Sequence, residues 1–251
     1  MMRIGLLTSN SLSKFKLSTL EPILEDDFFS IKVAMIDDRP KESNMQKLKK
    51  NIKRGRGGFI LIMALQSISP KKEISINTIE FCKNNGIDVI KTNNPYSSES
   101  IENLRKYELD IILLVNGYGI IKEPLLSLAP LGILSYHHGN MRKFRGMPPA
   151  FWELYNNEKE MGVTVQILAS GIDCGTPIEE MIIEIKRNDN LKSLQNRANQ
   201  ESANMMYQAL KKLANPDIIP QKIENFGEVY TLPNLRQWIT LKLKVMRRRF
   251  L

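Results

Sequence analysis

The sequence predicts an α/β fold: an open, mostly parallel twisted sheet flanked by helices, with a small helical C-terminal extension. Three observations predict it. Apolar runs such as "LDIILLV" (109–115) lack polar alternation, as strands buried on both faces do. These runs alternate with segments whose apolar residues recur at helical spacing. After residue 148 the order changes to two strands joined by a turn, which suggests an antiparallel pair.

Taken in order, "RIGLLT" (3–8) is a short buried strand followed by the polar turn "SNSLS". Residues 14–24 form a helix with Leu17, Leu20, Ile23 and Leu24 on one face. Phe29 to Ile36 is the second strand. Residues 40–68 are basic, then apolar, and read either as a helix broken at Gly57-Gly58 or as a helix followed by a strand. Residues 75–84 read as helix and 87–90 as strand. Ser98 precedes a helix with Glu99 and Glu102 in its first turn, where acids favour the helix dipole. Strands follow at 109–115 and 132–137. Pro148 to Asn156 reads as a helix with proline at its start. "GVTVQIL" (162–168) and "IEEMIIEI" (178–185) are strands joined by "ASGIDCGTP", and residues 190–213 form one long helix. This divides the chain into a catalytic domain, 1–187, and a helical, basic C-terminal extension, 188–251.

A chain of 251 residues that is 42% hydrophobic can bury a sizeable core, which excludes a disordered protein. The net charge of +9 favours anionic partners: phosphate groups, nucleotides, nucleic acid or an anionic membrane. Nucleic acid is not an expected partner, since neither zinc-finger spacing nor an aromatic RNA-binding pattern is present. The chain has two cysteines and its N-terminus lacks a signal-peptide pattern, so the cytoplasm is the expected compartment. Two segments, "KLKKNIKRGRGGFILIMAL" (47–65) and "LKLKVMRRRFL" (241–251), combine Lys and Arg with apolar residues. They read as peripheral membrane contacts or as ordinary solvated basic faces.

In open α/β sheets, ligands bind at the carboxyl ends of the strands. One predicted strand ends in Asn116-Gly117-Tyr118-Gly119, another in His137-His138-Gly139-Asn140, and Asp173 lies in a glycine-flanked turn. His137 and His138 are the only histidines. On a strand, Ser135 and His137 share one face while Tyr136 and His138 share the other, so one histidine at most serves a site. An Asn, a His and an Asp at three loop ends suit acid/base and oxyanion chemistry. Asp173 reads equally as a turn residue, and Arg142, Lys143 and Arg145 as a solvated loop. No metal is expected, because HExxH and Cys/His clusters are absent.

The stretch "GILSYHHGNMRKFRGMPPAFWELYNNEKEMGVTVQILASGIDCGTPI" (132–178) resembles the signature region of the folate-dependent formyltransferases, which act on glycinamide ribonucleotide, methionyl-tRNA or sugar nucleotides. The matching pieces are a strand ending in His, an "RG" loop, a helix, "GVT" and a "DxG" turn. "VNGYGIIKEPLLSL" and "RIGLLTS" are similar to the family's folate-pocket strand and first strand. The resemblance implies a Rossmann-like formyltransferase fold and transfer of a formyl group from 10-formyltetrahydrofolate, the formyl donor, to a primary amine. It implies a catalytic His at His137 and a catalytic Asp at Asp173. Where the family carries its catalytic Asn this chain has Ser135, and the family's "HxSLLP" is "HHGNMR" here. Ser135, Asn140 and Asn116 are the candidates for the missing oxyanion donor. Gly139 would permit a sharp turn that brings Asn140 back over His137. The pterin would lie against Tyr118, Gly119, Ile120, Ile121 and Lys122 and the backbone at Gly171. Ser9, Asn10, Ser11, Arg142, Lys143 and Arg145 are candidate phosphate contacts.

A small, phosphate-bearing amine is the expected acceptor. A nucleotide-linked aminosugar leads, followed by another small amine such as glycinamide ribonucleotide. A catalytically degenerate binding protein at a membrane surface is the third reading. A tRNA acceptor would call for a long nucleic-acid domain, and about 65 residues follow the core.

Overall fold

A computed structural model of the chain describes residues 1–40, 42–53 and 75–250. In chain order the strands are β1 (Met2–Thr8), β2 (Ser11–Ser13), β3 (Phe29–Asp37), β4 (Ser75–Asn77), β5 (Asp88–Thr92), β6 (Ile111–Leu114), β7 (Ile133–His137), β8 (Phe144–Gly146), β9 (Glu160–Ile167), β10 (Thr176–Glu184) and β11 (Glu228–Tyr230). The helices are α1 (Lys14–Leu24), α2 (Asn44–Lys53), α3 (Thr78–Asn84), α4 (Ser98–Arg105), α5 (Phe151–Tyr155), α6 (Leu191–Glu201), α7 (Met205–Ala214) and α8 (Leu235–Phe250).

Seven strands form one sheet in the order β10-β9-β7-β6-β1-β3-β5. The five strands from β7 to β5 are mutually parallel. Strand β9 runs antiparallel to β7, and β10 antiparallel to β9. Both faces are covered. Ile4 and Leu6 join one core with Leu20 and Ile23 of α1. Leu7, Val33 and Met35 join the other with Ile101 and Leu104 of α4. Burial on both sides is why these strands read as apolar runs. Strand order reverses between β1 and β6, and the carboxyl edge at such a reversal is where open α/β sheets bind ligands.

The expected open, mostly parallel α/β sheet with a C-terminal helix is present. Several element boundaries differ, each for a local reason. Residues 75–77 are not helical: they pair antiparallel with Ser11–Ser13, and Asn77 then caps α3 by accepting the amides of Ile79 and Glu80. Ser97, not Ser98, caps α4. The helix expected from Pro148 starts at Phe151, after a cis Met147-Pro148 bond and Ala150 at φ +63°. The long helix expected over 190–213 is two. Between them the Tyr136 hydroxyl donates to the Ser202 carbonyl at 2.7 Å and accepts the Met206 amide at 3.0 Å. It thereby replaces the direct i to i+4 bond and turns the chain. Of the basic-apolar segment 40–68, residues 44–53 form α2; the Gly57-Gly58 break and the apolar run lie outside the described residues.

Residues beyond 187 also contribute to the sheet's core. Leu194, Ala198, Met206 and Leu210 pack with it, as do Trp238 and Leu241. Strand β11 pairs with β8, and Phe151 stacks on Trp238 with ring centroids 5.6 Å apart.

Candidate active site

Strand β7 carries His137 to the carboxyl edge. Its ring Nδ1 lies 3.2 Å from Asp173 Oδ2, and its Nε2–H donates to the Phe144 carbonyl at 2.8 Å. Both ring nitrogens thus face acceptors, which suits a doubly protonated imidazolium. Burial disfavours that charge, but Asp173 and the Phe144 carbonyl outweigh it and raise the pKa above the ordinary histidine value. Asp173 shows the complement. Burial alone would raise its carboxyl, yet hydrogen bonds from His137, the Gly146 amide (2.7 Å) and Gln166 Nε2 (3.4 Å) hold it below the usual range. His137 is buried, whereas Asp173 keeps 23% of its side chain open to solvent. The carboxylate is therefore the member of the pair that a ligand can reach.

The frame around this pair explains two glycines. A Cβ on Gly139 would meet His137 Nε2 at 2.5 Å, so only glycine lets the ring lie against the chain. This close approach, rather than a sharp left-handed turn, is its role. Gly146, at φ +88°, presents its amide to Asp173, and a Cβ there would strike the Tyr230 carbonyl at 2.1 Å. Asp173 itself holds φ +45° in its turn.

The three candidate oxyanion donors differ in what they already bind. Ser135 shares the His137 face and is buried opposite Gln166, with a long 3.4 Å bond to its neighbour's carbonyl. Asn116 is engaged at both amide atoms: Oδ1 accepts the Ser9 amide (2.6 Å) and the Thr8 hydroxyl (3.1 Å), and one Nδ2 hydrogen is donated to the Ser11 carbonyl (3.0 Å). It ties the loops after β1 and β6 together. Asn140 uses Oδ1 to accept the Arg142 amide, and among the described residues its Nδ2 has no hydrogen-bond partner. The Asn140 backbone packs over Gly162 of β9.

The Ser9–Ser11 turn is held by Asn116 on one side and Thr78 on the other, and Asn10 bonds Asp38. The basic loop does not act as one patch. Arg142 pairs with Glu180, Lys143 with Glu158, and Arg145 bonds the carbonyls of Gly227 and Ile172. Arg145 therefore straps the Asp173 turn to residues just before β11. In the loop after β6, Tyr118 is buried, with its hydroxyl on the Met35 carbonyl, and Ile121 is buried. Ile120 is 56% exposed, Lys122 is exposed, and Gly119 has open space where a Cβ would stand. Gly171, at φ +131°, lies in the turn that carries Asp173.

Sequence reasoning missed Gln166, the Phe144 carbonyl and Glu153. Gln166 spans the turn, accepting the Gly175 amide while it donates to Asp173. A lone amide in "GVTVQIL" was its only signal. Glu153 is 3% exposed on α5, and burial pushes its carboxyl up to about 7 against the pull of its own amide and of His137. Its signal was a single acid in the apolar "AFWELY". A hollow of about 280 Å³ lined by Arg3, Arg105, Glu108 and Asp110 sits at the opposite, amino-terminal edge and shares no residue with this cluster. Titration chemistry and strand polarity both favour the carboxyl edge.

Comparison with known proteins places the sheet that carries this cluster in a family. The methionyl-tRNA formyltransferase of Caldanaerobacter subterraneus subsp. tengcongensis is 30% identical over 182 residues, covering 70% of this chain and 53% of that protein. That of Citrifermentans bemidjiense is 25% identical over 209 residues, covering 83% and 58%. The chain thus spans about half the length of the curated relatives it matches. Among solved structures, a sugar 3N-formyl transferase determined with dTDP and 5-N-formyl-THF aligns with a TM-score of 0.62 at 16% identity, covering 98% of this chain and 79% of that one. Glycinamide ribonucleotide transformylase 1 from Symbiobacterium toebii aligns with a TM-score of 0.60 at 19% identity, covering 89% and 95%. These two share its fold. The formyl transferase family model matches residues 58–210, more than half of the sequence, and the chain belongs to the formyl transferase family.

Proposed function

We propose that the protein transfers a formyl group from 10-formyltetrahydrofolate to the primary amine of a small molecule. One observation carries the reading: a histidine–carboxylate pair, His137 and Asp173, stands at the carboxyl edge of a formyl transferase sheet with its carboxylate accessible. The loop after β6 fits a folate donor. Ile120 offers an exposed apolar surface, and the open backbone at Gly119 lets a flat ring approach. Tyr118, Gly119, Ile120, Ile121 and Lys122, with Gly171, would hold it. When bound, the donor supplies a formyl carbon open to attack by the amine.

Asp173 is placed to accept the proton that the amine sheds as its nitrogen bonds to that carbon, directly or through one water. A proton returned to the nitrogen that the formyl group leaves completes the exchange. His137 keeps both its protons. It sets the carboxylate's direction and supplies the positive charge that favours negative charge building on the formyl oxygen. The Gly146 amide takes the second lone pair of Oδ2 and Gln166 takes one of Oδ1, which leaves the other Oδ1 lone pair for the proton. With Ser135 in the place of the family's Asn, the uncommitted Nδ2 of Asn140 is the favoured oxyanion donor, ahead of Asn116, whose amide already holds two loops. Replacing Asn140 with Ala is expected to lower kcat about 10²–10³-fold with little change in KM. Asn116→Ala should instead disturb folding and substrate affinity. Normal kcat in Asn140→Ala would remove it from the reaction.

The chemistry falls within residues 1–187, the proposed catalytic unit, in a cytoplasmic setting. Residues 227–230 buttress it from the extension, 188–251. For the acceptor, a nucleotide-linked aminosugar is the favoured class. The sugar formyl transferase aligns over 98% of this chain, and Arg145 bonds the Ile172 carbonyl in the turn that carries Asp173, with Arg142 and Lys143 in the same loop. Ser9, Asn10 and Ser11, in the turn after β1, would supply the remaining phosphate contacts. The curated relatives make methionyl-tRNA the second reading. Formyl transfer assayed in parallel with dTDP-linked aminosugars, glycinamide ribonucleotide and methionyl-tRNA decides the acceptor. Turnover of the aminosugar alone is expected. Transfer only to the tRNA would replace the favoured class, and transfer to no amine would end the enzymatic reading.

A further inference from the structure

Helix α8 has two apolar faces, and among the described residues one of them is covered. Trp238, Leu241 and Val245 turn inward to the core, and Lys244 Nζ donates to the Tyr155 carbonyl at 2.6 Å. The Phe151–Trp238 stack fixes the helix to α5. Leu235, Ile239, Leu243 and Met246 are 40%, 50%, 51% and 56% exposed. At 100° per residue these four fall within about 80° of one another, on a line well separated from the docked face. Lys242 borders this stripe on one side, and Arg236 and Arg247 border it on the other. The helix has no acidic residue.

We propose that this outer face of α8 seats the protein on an anionic lipid surface, lying in the plane of the membrane. The stripe matches what such helices bury at the headgroup boundary, and flanking Lys and Arg reach the anionic headgroups from either side. The net charge of +9 draws the whole molecule the same way. A second copy of the chain is a poorer occupant. A two-fold contact along this stripe would bring Arg236, Lys242 and Arg247 against their own counterparts with no acid on the helix to offset them. Nucleic acid would use the cations but leave four aliphatic side chains without a role. The inference is independent of the formyl acceptor.

The test is co-sedimentation of the full chain with phosphatidylcholine vesicles and with mixed phosphatidylglycerol–phosphatidylcholine vesicles, beside a filter assay with tRNA. The unmodified protein should bind the anionic vesicles and not the neutral ones. Ile239→Ser with Leu243→Ser should weaken binding at least tenfold. Arg236→Gln, Lys242→Gln and Arg247→Gln should weaken it about fivefold each, with a smaller salt dependence. All these positions face solvent, and circular dichroism checks that the variants stay folded. Lack of binding to anionic vesicles overturns the proposal. So does vesicle binding unchanged in the serine variant, which would mean charge alone is at work. Two further outcomes overturn it: tRNA binding that outcompetes vesicles and is lost with Arg236→Gln, Lys242→Gln and Arg247→Gln, or a dimer in lipid-free solution that the serine variant abolishes.

Discussion

His137 and His138 are neighbours in the chain and opposites in chemistry, because strand β7 sends them to different faces of the sheet. On one face His137 meets a carboxylate and a carbonyl, and its pKa rises. On the other, His138 stacks on Tyr136 with ring centroids 5.7 Å apart and meets the edge of Phe15 at 5.5 Å. Burial there, with Lys16 and His137 nearby, pushes its pKa down to about 4. The same side chain is thus held charged as an ion-pair partner or neutral as an aromatic packing element, and acceptors within reach decide which.

The largest expected effect separates the faces by activity. Asp173→Asn keeps the shape but removes the proton acceptor and the counter-charge of His137. Formyl transfer should fall about 10²–10⁴-fold. His137→Ala should do comparable damage and His138→Ala should leave most of the rate. Steady-state kinetics of the three variants would reverse the assignment if the His138 variant were the inactive one.

The next effect separates them by acid stability, with opposite signs. A histidine whose folded pKa is depressed contributes stability present above the unfolded value near 6.5 and lost as pH falls. His138 therefore weakens the fold between pH 6.5 and about 4, by on the order of 3 kcal/mol at the lower end. His137, whose pKa is raised, stabilises below pH 6.5 and loses that contribution as pH climbs through its folded value. His138→Phe should flatten the decline of denaturation midpoint between pH 6.5 and 4. An unchanged pH profile would show that His138 is solvated. The contrast should also be visible without mutation: in a ¹H–¹⁵N imidazole titration, the His137 ring is charged at pH 6.5 and the His138 ring is neutral down to about pH 4.

The smallest effect concerns the bridge from the far face to the helices. Tyr136→Phe removes the hydroxyl shared by Ser202 and Met206, and should cost about 1 kcal/mol of stability with no loss of formyl transfer. A large drop in activity would mean that the two faces of β7 are coupled.

Much of this arrangement was legible in the sequence. Strand periodicity is local, so the opposite facing of His137 and His138 followed from alternation alone, and the strands with both faces buried announced themselves as apolar runs. The His137–Asp173 pairing came from the family pattern, which local spacing could not supply. What stayed hidden depends on partners distant in the chain. Residues 75–77 have helical neighbours but pair with Ser11–Ser13, and the helix break at 202–204 answers to Tyr136. The Phe144 carbonyl holding His137 is backbone, which no side-chain pattern encodes. Asn116 looked like a free donor at a strand end. Only the positions of Ser9 and Ser11 reveal that its amide is committed.

The pairing of β8 with β11 has a consequence for the newly made protein. Gly146, whose amide steadies Asp173, is backed by Tyr230, and Arg145 reaches the Gly227 carbonyl across 82 positions of sequence. Every residue that touches the reacting atoms in the proposed mechanism has been synthesised by Asp173, yet the wall behind that aspartate arrives more than fifty residues later. A chain still emerging from the ribosome at residue 200 already contains every strand of the seven-stranded sheet. It lacks the segment that holds the carboxylate's turn in place, so completion of the site waits until residues 227–230 have been made.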